Sequence, residues 1–137
     1  MQVLEKPTLP PSQSPARLGS VLVMDDDAKA LQVLNVVLHA IGAREVCEAS
    51  SAEQALEILR TRSFDLILAD YRMEGMDGVA FIDKLRASGD QTPILIVSGA
   101  PDKAGVIRAA HHSRVDFRGK PFRVAELQEA LEKLVNG

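Results

Sequence analysis

The stretch VLVMDDD at residues 21–27 joins four consecutive apolar residues to three acids. A short, continuous apolar run predicts a strand that is buried on both faces, as in a parallel sheet covered by helices. The pattern returns at 64–70, where FDLILAD ends in an acid, and at 94–98, where ILIVS ends in a hydroxyl. We therefore expect a parallel sheet whose strands end in polar groups.

Segments with helical periodicity separate these runs. Apolar residues spaced by three and four from 31 to 41 predict a helix that Gly42 is placed to end, and residues 51–54 have the form of a capping box. Weaker strands are predicted at 46–49 and 115–118, and further helices around 81–85, 103–111 and 124–135. Five successive βα units predict an α/β domain with a doubly wound, five-stranded parallel sheet and five helices.

Composition limits the classes of function. A chain of 137 residues with 46% hydrophobic and 26% charged residues suits one globular domain. The net charge of −3 argues against a nucleic-acid partner. No apolar run approaches the roughly 20 residues that cross a bilayer, and the N-terminus does not resemble a signal peptide, so we expect no membrane partner and a cytoplasmic location. Cys47 is alone and predicts no internal disulfide.

The first 19 residues have a different composition from the rest. They contain four prolines among Ser, Thr and Gln, and such a segment buries little apolar surface. The sequence predicts a flexible tail at 1–19 and one folded domain at 20–137.

Polar side chains follow the predicted strands at one edge of the sheet. Asp25 and Asp26 follow the first strand, Asp70 the third, Ser98 the fourth and Lys120 the fifth. Each has an ordinary explanation by itself, as a turn residue, a loop residue or a surface lysine. A doubly wound sheet binds ligands at the carboxyl ends of its strands, which favours a shared site. For Asp27 we predict a different role, as the N-cap of the first helix.

The predicted site suits a hard metal ion. Clustered carboxylates raise one another's pKa unless a cation compensates, and oxygen ligands suit Mg²⁺ or Mn²⁺. Zinc is disfavoured because Cys47 is isolated and His111 and His112 lie at a helix end. Asp70, which closes the central apolar strand, is the natural nucleophile and would form an acyl phosphate. Lys120 would bind one phosphoryl oxygen as a point charge, with Ser98 donating a hydrogen bond to another.

These residues resemble the receiver domain of two-component response regulators over about residues 20–136. The matching segments are 21–26, Asp70 with 73–78, 97–99, and Phe117 with 120–122. The resemblance implies a flavodoxin-like (βα)5 fold. It also implies that Asp26 and Asp70 bind Mg²⁺ directly, Asp25 through water, and Arg72 through its backbone carbonyl.

The resemblance further implies a signalling role. A sensor histidine kinase or histidine phosphotransfer protein would phosphorylate Asp70, and the domain would catalyse part of its own phosphorylation and dephosphorylation without being a conventional enzyme. Ser98 and Phe117 would form the switch. Because the residues after Lys120 suffice for one helix, we expect a stand-alone regulator that docks on a downstream protein. Any homodimer would use the face of the fourth helix, fifth strand and fifth helix.

Several positions depart from the family pattern, and two other functions compete. Glu74 replaces the usual Pro, Gly99 replaces Ala, and 111–114 replaces a Gly-Ala turn, while Arg72 lies where the family tunes dephosphorylation.

A phosphohydrolase with an aspartyl nucleophile is disfavoured, because it usually has a second Asp where this chain has Arg72. A pseudo-receiver that only binds proteins remains open, although this chain keeps every residue of the phosphorylation site.

Overall fold

The computed structural model describes residues 18–73, 75–99 and 103–136, and in this part of the chain five strands alternate with five helices. The strands are β1 Gly19–Met24, β2 Ala43–Ala49, β3 Leu66–Asp70, β4 Ile94–Ser98 and β5 Val115–Gly119. The helices are α1 Ala28–Ala40, α2 Ala52–Leu59, α3 Gly78–Ala87, α4 Lys103–Ala110 and α5 Val124–Asn136. All strand pairs are parallel, in the order β2-β1-β3-β4-β5. The predicted doubly wound five-stranded fold is confirmed.

Alternate residues of the central strands supply two hydrophobic cores. Leu22 and Ile67 face one layer, which contains apolar residues of α2, α3 and α4. Val21 and Leu66 face the other layer, with residues of α1 and α5. Because both faces are covered, the central strands contain apolar residues without alternation, as the sequence pattern predicted.

Strand boundaries differ from the sequence pattern where pairing decides them. β3 begins at Leu66 rather than at Phe64, because Leu66 is the first residue paired with β1, through Val21. β2 begins three residues earlier than predicted, at Ala43. Leu18 is fully buried and Gly19 begins β1, although both fell in the predicted tail. The rest of that tail, residues 1–17, lies outside the described residues, as does Glu74.

Three helices begin at side-chain caps. Asp27 caps α1 by accepting a hydrogen bond of 3.0 Å from the Lys29 amide, which confirms its predicted role. Ser51 caps α2 in the same way, and Asp77 caps α3. Each cap satisfies a backbone donor that the helix leaves unpaired. In the α1 case, the cap fixes the turn directly after the acids of β1.

The described helices include none that is long and apolar enough to cross a membrane.

Candidate functional site

Three carboxylates meet where the strand order reverses. The chain passes from β1 to β2 on one side and continues through β3 on the other, so the carboxyl ends of β1 and β3 flank the crevice where such folds bind ligands. Asp25 and Asp26 follow β1, and Asp70 ends β3. One carboxylate oxygen of each lies within 4.8 Å of those of the other two. The structure thus brings together the three predicted acids.

Asp25 is the buried member of this cluster, with 2% of its surface exposed. Its Oδ1 accepts a hydrogen bond of 2.9 Å from the Asp27 amide. Burial raises the pKa of Asp25, and the charges of Asp70 and Asp26 raise it further, while the Asp27 amide and Lys120 act in the opposite direction. The ionised form of Asp25 is therefore energetically unfavourable in the absence of a cation, and a bound divalent cation would stabilise it.

Asp70 lies at the centre of the polar contacts. Its Oδ1 accepts a hydrogen bond of 3.3 Å from the Arg72 amide, and its Oδ2 lies 3.7 Å from Lys120 Nζ. The Asp70 side chain is mostly buried, whereas Lys120 is about one third exposed. The carboxylate is therefore held by the backbone on one side and faces an ammonium on the other.

Ser98 and Lys120 reach the same edge from β4 and β5. Ser98 is fully buried and pairs with Gly119, so Lys120 lies directly beyond the end of the ladder. The Lys120 amide donates a hydrogen bond of 2.6 Å to the Ser98 carbonyl, and the following peptide bond, Lys120–Pro121, is cis. The two predicted residues are thus joined through the backbone.

Gly78 lets α3 begin close to the end of β3. Its amide donates a hydrogen bond of 2.8 Å to the Tyr71 carbonyl. A Cβ added at Gly78 would lie 3.0 Å from Ile96 Cδ1, 3.2 Å from Tyr71 Cα and 3.4 Å from the Asp70 carbonyl oxygen. A side chain at this position would push on the backbone that carries Asp70. By contrast, a Cβ added at Gly99 would meet no heavy atom within 4 Å.

An aromatic contact connects the residue that follows β3 with the predicted switch residue. The ring of Phe117 on β5 lies 5.7 Å from that of Tyr71, tilted by 58°. Tyr71 is buried, and its amide donates a hydrogen bond of 2.8 Å to the Val97 carbonyl. Sequence reasoning did not single out Tyr71, although its place next to Asp70 was the available signal. The switch role of Phe117 stays a prediction.

The donor set fits a hard divalent cation. Carboxylate oxygens at short mutual distance are the ligands that Mg²⁺ prefers, and the buried, charge-crowded Asp25 supplies the electrostatic reason to bind one. His111 and His112 lie after α4, in the turn that leads to β5. Neither belongs to the group of candidate metal ligands found among the described residues. The arrangement favours Mg²⁺ or Mn²⁺ over zinc.

Comparisons with known proteins agree with this geometry. A family model described as the response regulator receiver domain matches residues 21–132. Transcriptional regulatory protein ZraR of Escherichia coli O157:H7 is 36% identical over 113 residues, which are 82% of this chain and 25% of that protein. The chain thus spans about a quarter of the length of this relative.

Solved structures lead to the same family. A response regulator receiver protein from Pseudomonas putida is 32% identical, with a TM-score of 0.76, over 86% of this chain and 95% of that one. The receiver domain of sensor histidine kinase PA1611 from Pseudomonas aeruginosa PAO1 is 25% identical, with a TM-score of 0.75, over 86% of this chain and 98% of that one. That structure has a magnesium ion coordinated in its active site cleft. The chain belongs to the response regulator receiver domain family.

Proposed function

We propose that this domain accepts a phosphoryl group on Asp70 from a histidine kinase or histidine phosphotransfer protein, in a reaction that depends on Mg²⁺. The observation that supports this most is the meeting of Asp25, Asp26 and Asp70 with Lys120 at the reversal of strand order. The magnesium ion described for the PA1611 receiver domain supports the choice of metal.

Asp70 is the nucleophile in this proposal. A carboxylate oxygen of Asp70 attacks the phosphorus atom, a P–O bond forms, and the P–N bond to the donor imidazole breaks. The Arg72 amide, 3.3 Å from Oδ1, steadies the carboxylate so that one oxygen is presented to the donor. Lys120 Nζ, 3.7 Å from Oδ2, is close enough to bind a phosphoryl oxygen once Asp70 carries the phosphoryl group.

Asp25, Asp26 and Asp70 would hold the ion, together with the backbone carbonyl of Arg72, and Mn²⁺ would substitute for Mg²⁺. When bound, the ion neutralises charge on the phosphoryl oxygens. Burial of Asp25 holds its carboxylate in place before the ion arrives, and the Asp27 amide orients it.

Phosphorylation would be read out at a distance from Asp70. The added charge of about −1.5 to −2 draws the Ser98 hydroxyl toward the phosphoryl group, and the ring of Phe117 then moves. The face of α4, β5 and α5 would change and dock on a downstream protein, or pair with a second copy. In this proposal the domain acts in the cytoplasm and does not itself bind nucleic acid.

Intact-mass measurement after incubation with acetyl phosphate tests the proposal. Wild type is expected to gain a phosphate mass of about 80 Da when Mg²⁺ is present and not when EDTA replaces it. Asp70→Asn is expected to gain none. A folded wild type that gains no mass from acetyl phosphate or from a histidine kinase panel would contradict the proposal and favour a pseudo-receiver that only binds proteins.

A further inference from the structure

The turn between α4 and β5 is tied to α3 by side chains. Arg114 has a φ of +60°, a left-handed conformation that residues other than glycine seldom adopt. The Ser113 carbonyl accepts a hydrogen bond of 3.1 Å from Arg86 Nη2, and Ser113 Oγ donates one of 3.2 Å to Gln91 Oε1. This turn, in which residues 111–114 replace the family's Gly-Ala pattern, is therefore held by Arg86 and Gln91, which lie outside it.

Arg86 of α3 organises this region through backbone oxygens. Its guanidinium donates to the carbonyls of Asp90 and Thr92, each at 2.9 Å, as well as to Ser113. These bonds join the end of α3, the start of β4 and the turn before β5. The backbone of the turn at Ser113 is thus hydrogen-bonded to α3.

Asp83, one helical turn before Arg86, contacts α4 and the residues that follow it. Its Oδ1 lies 2.7 Å from His112 Nε2, and its Oδ2 accepts a hydrogen bond of 3.2 Å from Arg108 Nη2. The hydrogen bond with His112 is the largest cause that holds the pKa of Asp83 below its ordinary value, and the hydrogen bond from Arg108 acts in the same direction. One oxygen of the carboxylate thus binds the last turn of α4, and the other binds the turn that follows the helix. We call this group of three residues the Asp83 latch.

The described side chains of α4 bury little apolar surface, so the polar contacts of the latch matter more for its position. Among the described side chains of this helix, Ala109 is the one apolar side chain in the core, whereas Val106 is 39% and Ile107 53% exposed. Burying one methyl group contributes little compared with burying a leucine or isoleucine side chain. The position of α4 therefore depends on polar contacts more than that of α3, whose Phe81, Ile82 and Leu85 are buried.

We propose that Asp83 is a positioning residue that fixes α4 against α3 through Arg108 and His112, and thereby sets how readily the α4 face rearranges. The first part stands on the contacts alone. The second rests on the proposed function, because it assumes that phosphorylation of Asp70 moves α4. The contacts of Asp83 hold α4 in the arrangement of the unphosphorylated domain. In this proposal they are lost when α4 rearranges, so weakening them shifts the equilibrium toward the phosphorylated conformation.

Hydrogen–deuterium exchange of the unphosphorylated full chain tests the first part. In Asp83→Asn, amides of α4 are expected to exchange about two- to fivefold faster, which is the size of effect of an exposed ion-pair network. Glu45→Gln is the matched control, because it breaks an ion pair of 3.0 Å between Glu45 of β2 and Arg62, at similar exposure but away from α4. Amides of α1 serve as the internal reference.

Acceleration confined to α4 in Asp83→Asn, and weaker acceleration in His112→Gln, would support the latch. Equal exchange of α4 in Asp83→Asn and Glu45→Gln would overturn it. In a second arm, intact mass follows phosphorylation by acetyl phosphate. Asp83→Asn is expected to react up to about fivefold faster than Glu45→Gln, because a larger fraction of its molecules has the rearranged α4. An unchanged rate would overturn the link to α4 rearrangement. If neither wild type nor any variant gains phosphate from acetyl phosphate or from a histidine kinase panel, the proposed function fails, and the exchange result alone decides the latch.

Discussion

Replacing Asp25 by Asn should stabilise the metal-free domain, although it removes a residue of the site. One pair of unit charges 4.8 Å apart, the upper separation within the cluster, repels by about 0.9 kcal/mol in water and about 3.5 kcal/mol at an effective dielectric constant of about 20. Lys120 offsets part of this repulsion. The amide oxygen of Asn keeps the acceptor for the Asp27 amide. We therefore expect the free energy of unfolding to rise by about 1–3 kcal/mol.

Urea unfolding followed by circular dichroism, with EDTA or with Mg²⁺, measures this effect. Wild type should gain stability on adding Mg²⁺, because binding to the native state alone stabilises it, and Asp25→Asn should gain less. Asp27→Asn is the matched control, since Asn caps a helix about as well as Asp and this residue lies outside the cluster. A fall in stability of Asp25→Asn in EDTA, or a gain from Mg²⁺ equal to that of wild type, would refute the electrostatic reasoning.

Three further predictions follow from the contacts. Gly78→Ala should destabilise the domain by about 1–3 kcal/mol, since the new Cβ lies 3.0 Å from a core methyl group, while Gly99→Ala should not; urea unfolding of both decides. Lys120→Met should keep Mg²⁺ binding but slow phosphate gain from acetyl phosphate, because the ammonium 3.7 Å from Asp70 is lost; an unchanged rate would exclude its role. Asp83 should make the free energy of unfolding larger than in Asp83→Asn at pH values above 3.8, the ordinary pKa of Asp. This difference should disappear as the pH falls through the lowered pKa of Asp83, because protonation removes the charge that both contacts need. A difference in unfolding free energy that persists in acid would contradict this.

The fold could be predicted from the sequence because the local hydrophobic pattern and the long-range strand pairing agree in the central strands. Val21 to Met24 and the run before Asp70 are apolar on both faces, and a parallel sheet covered by helices requires that. The strand boundaries were harder to predict, because pairing with the neighbouring strand sets them. Phe64 is apolar and buried but precedes the first paired residue of β3, and Arg62 stacks on its ring 4.8 Å from the centroid.

The candidate site was accessible for a different reason. Residues at the carboxyl ends of parallel strands must meet, so Asp25, Asp70 and Lys120 were brought together by topology alone. Contacts between side chains of different helices leave no such pattern. His112 seemed an ordinary helix-end residue until the structure placed its Nε2 beside Asp83, 29 positions earlier in the chain.

The measurement that tests the central claim most directly is the chemical mapping of the acyl phosphate. Borohydride reduces an aspartyl phosphate to homoserine, so wild type treated with acetyl phosphate and Mg²⁺ and then reduced should contain homoserine at one position. Tandem mass spectrometry of the 63–72 segment should find it at Asp70, and omission of Mg²⁺ should abolish it. Homoserine at Asp25 or Asp26 instead, or equal yield without Mg²⁺, would contradict the assignment of Asp70 as the metal-dependent acceptor.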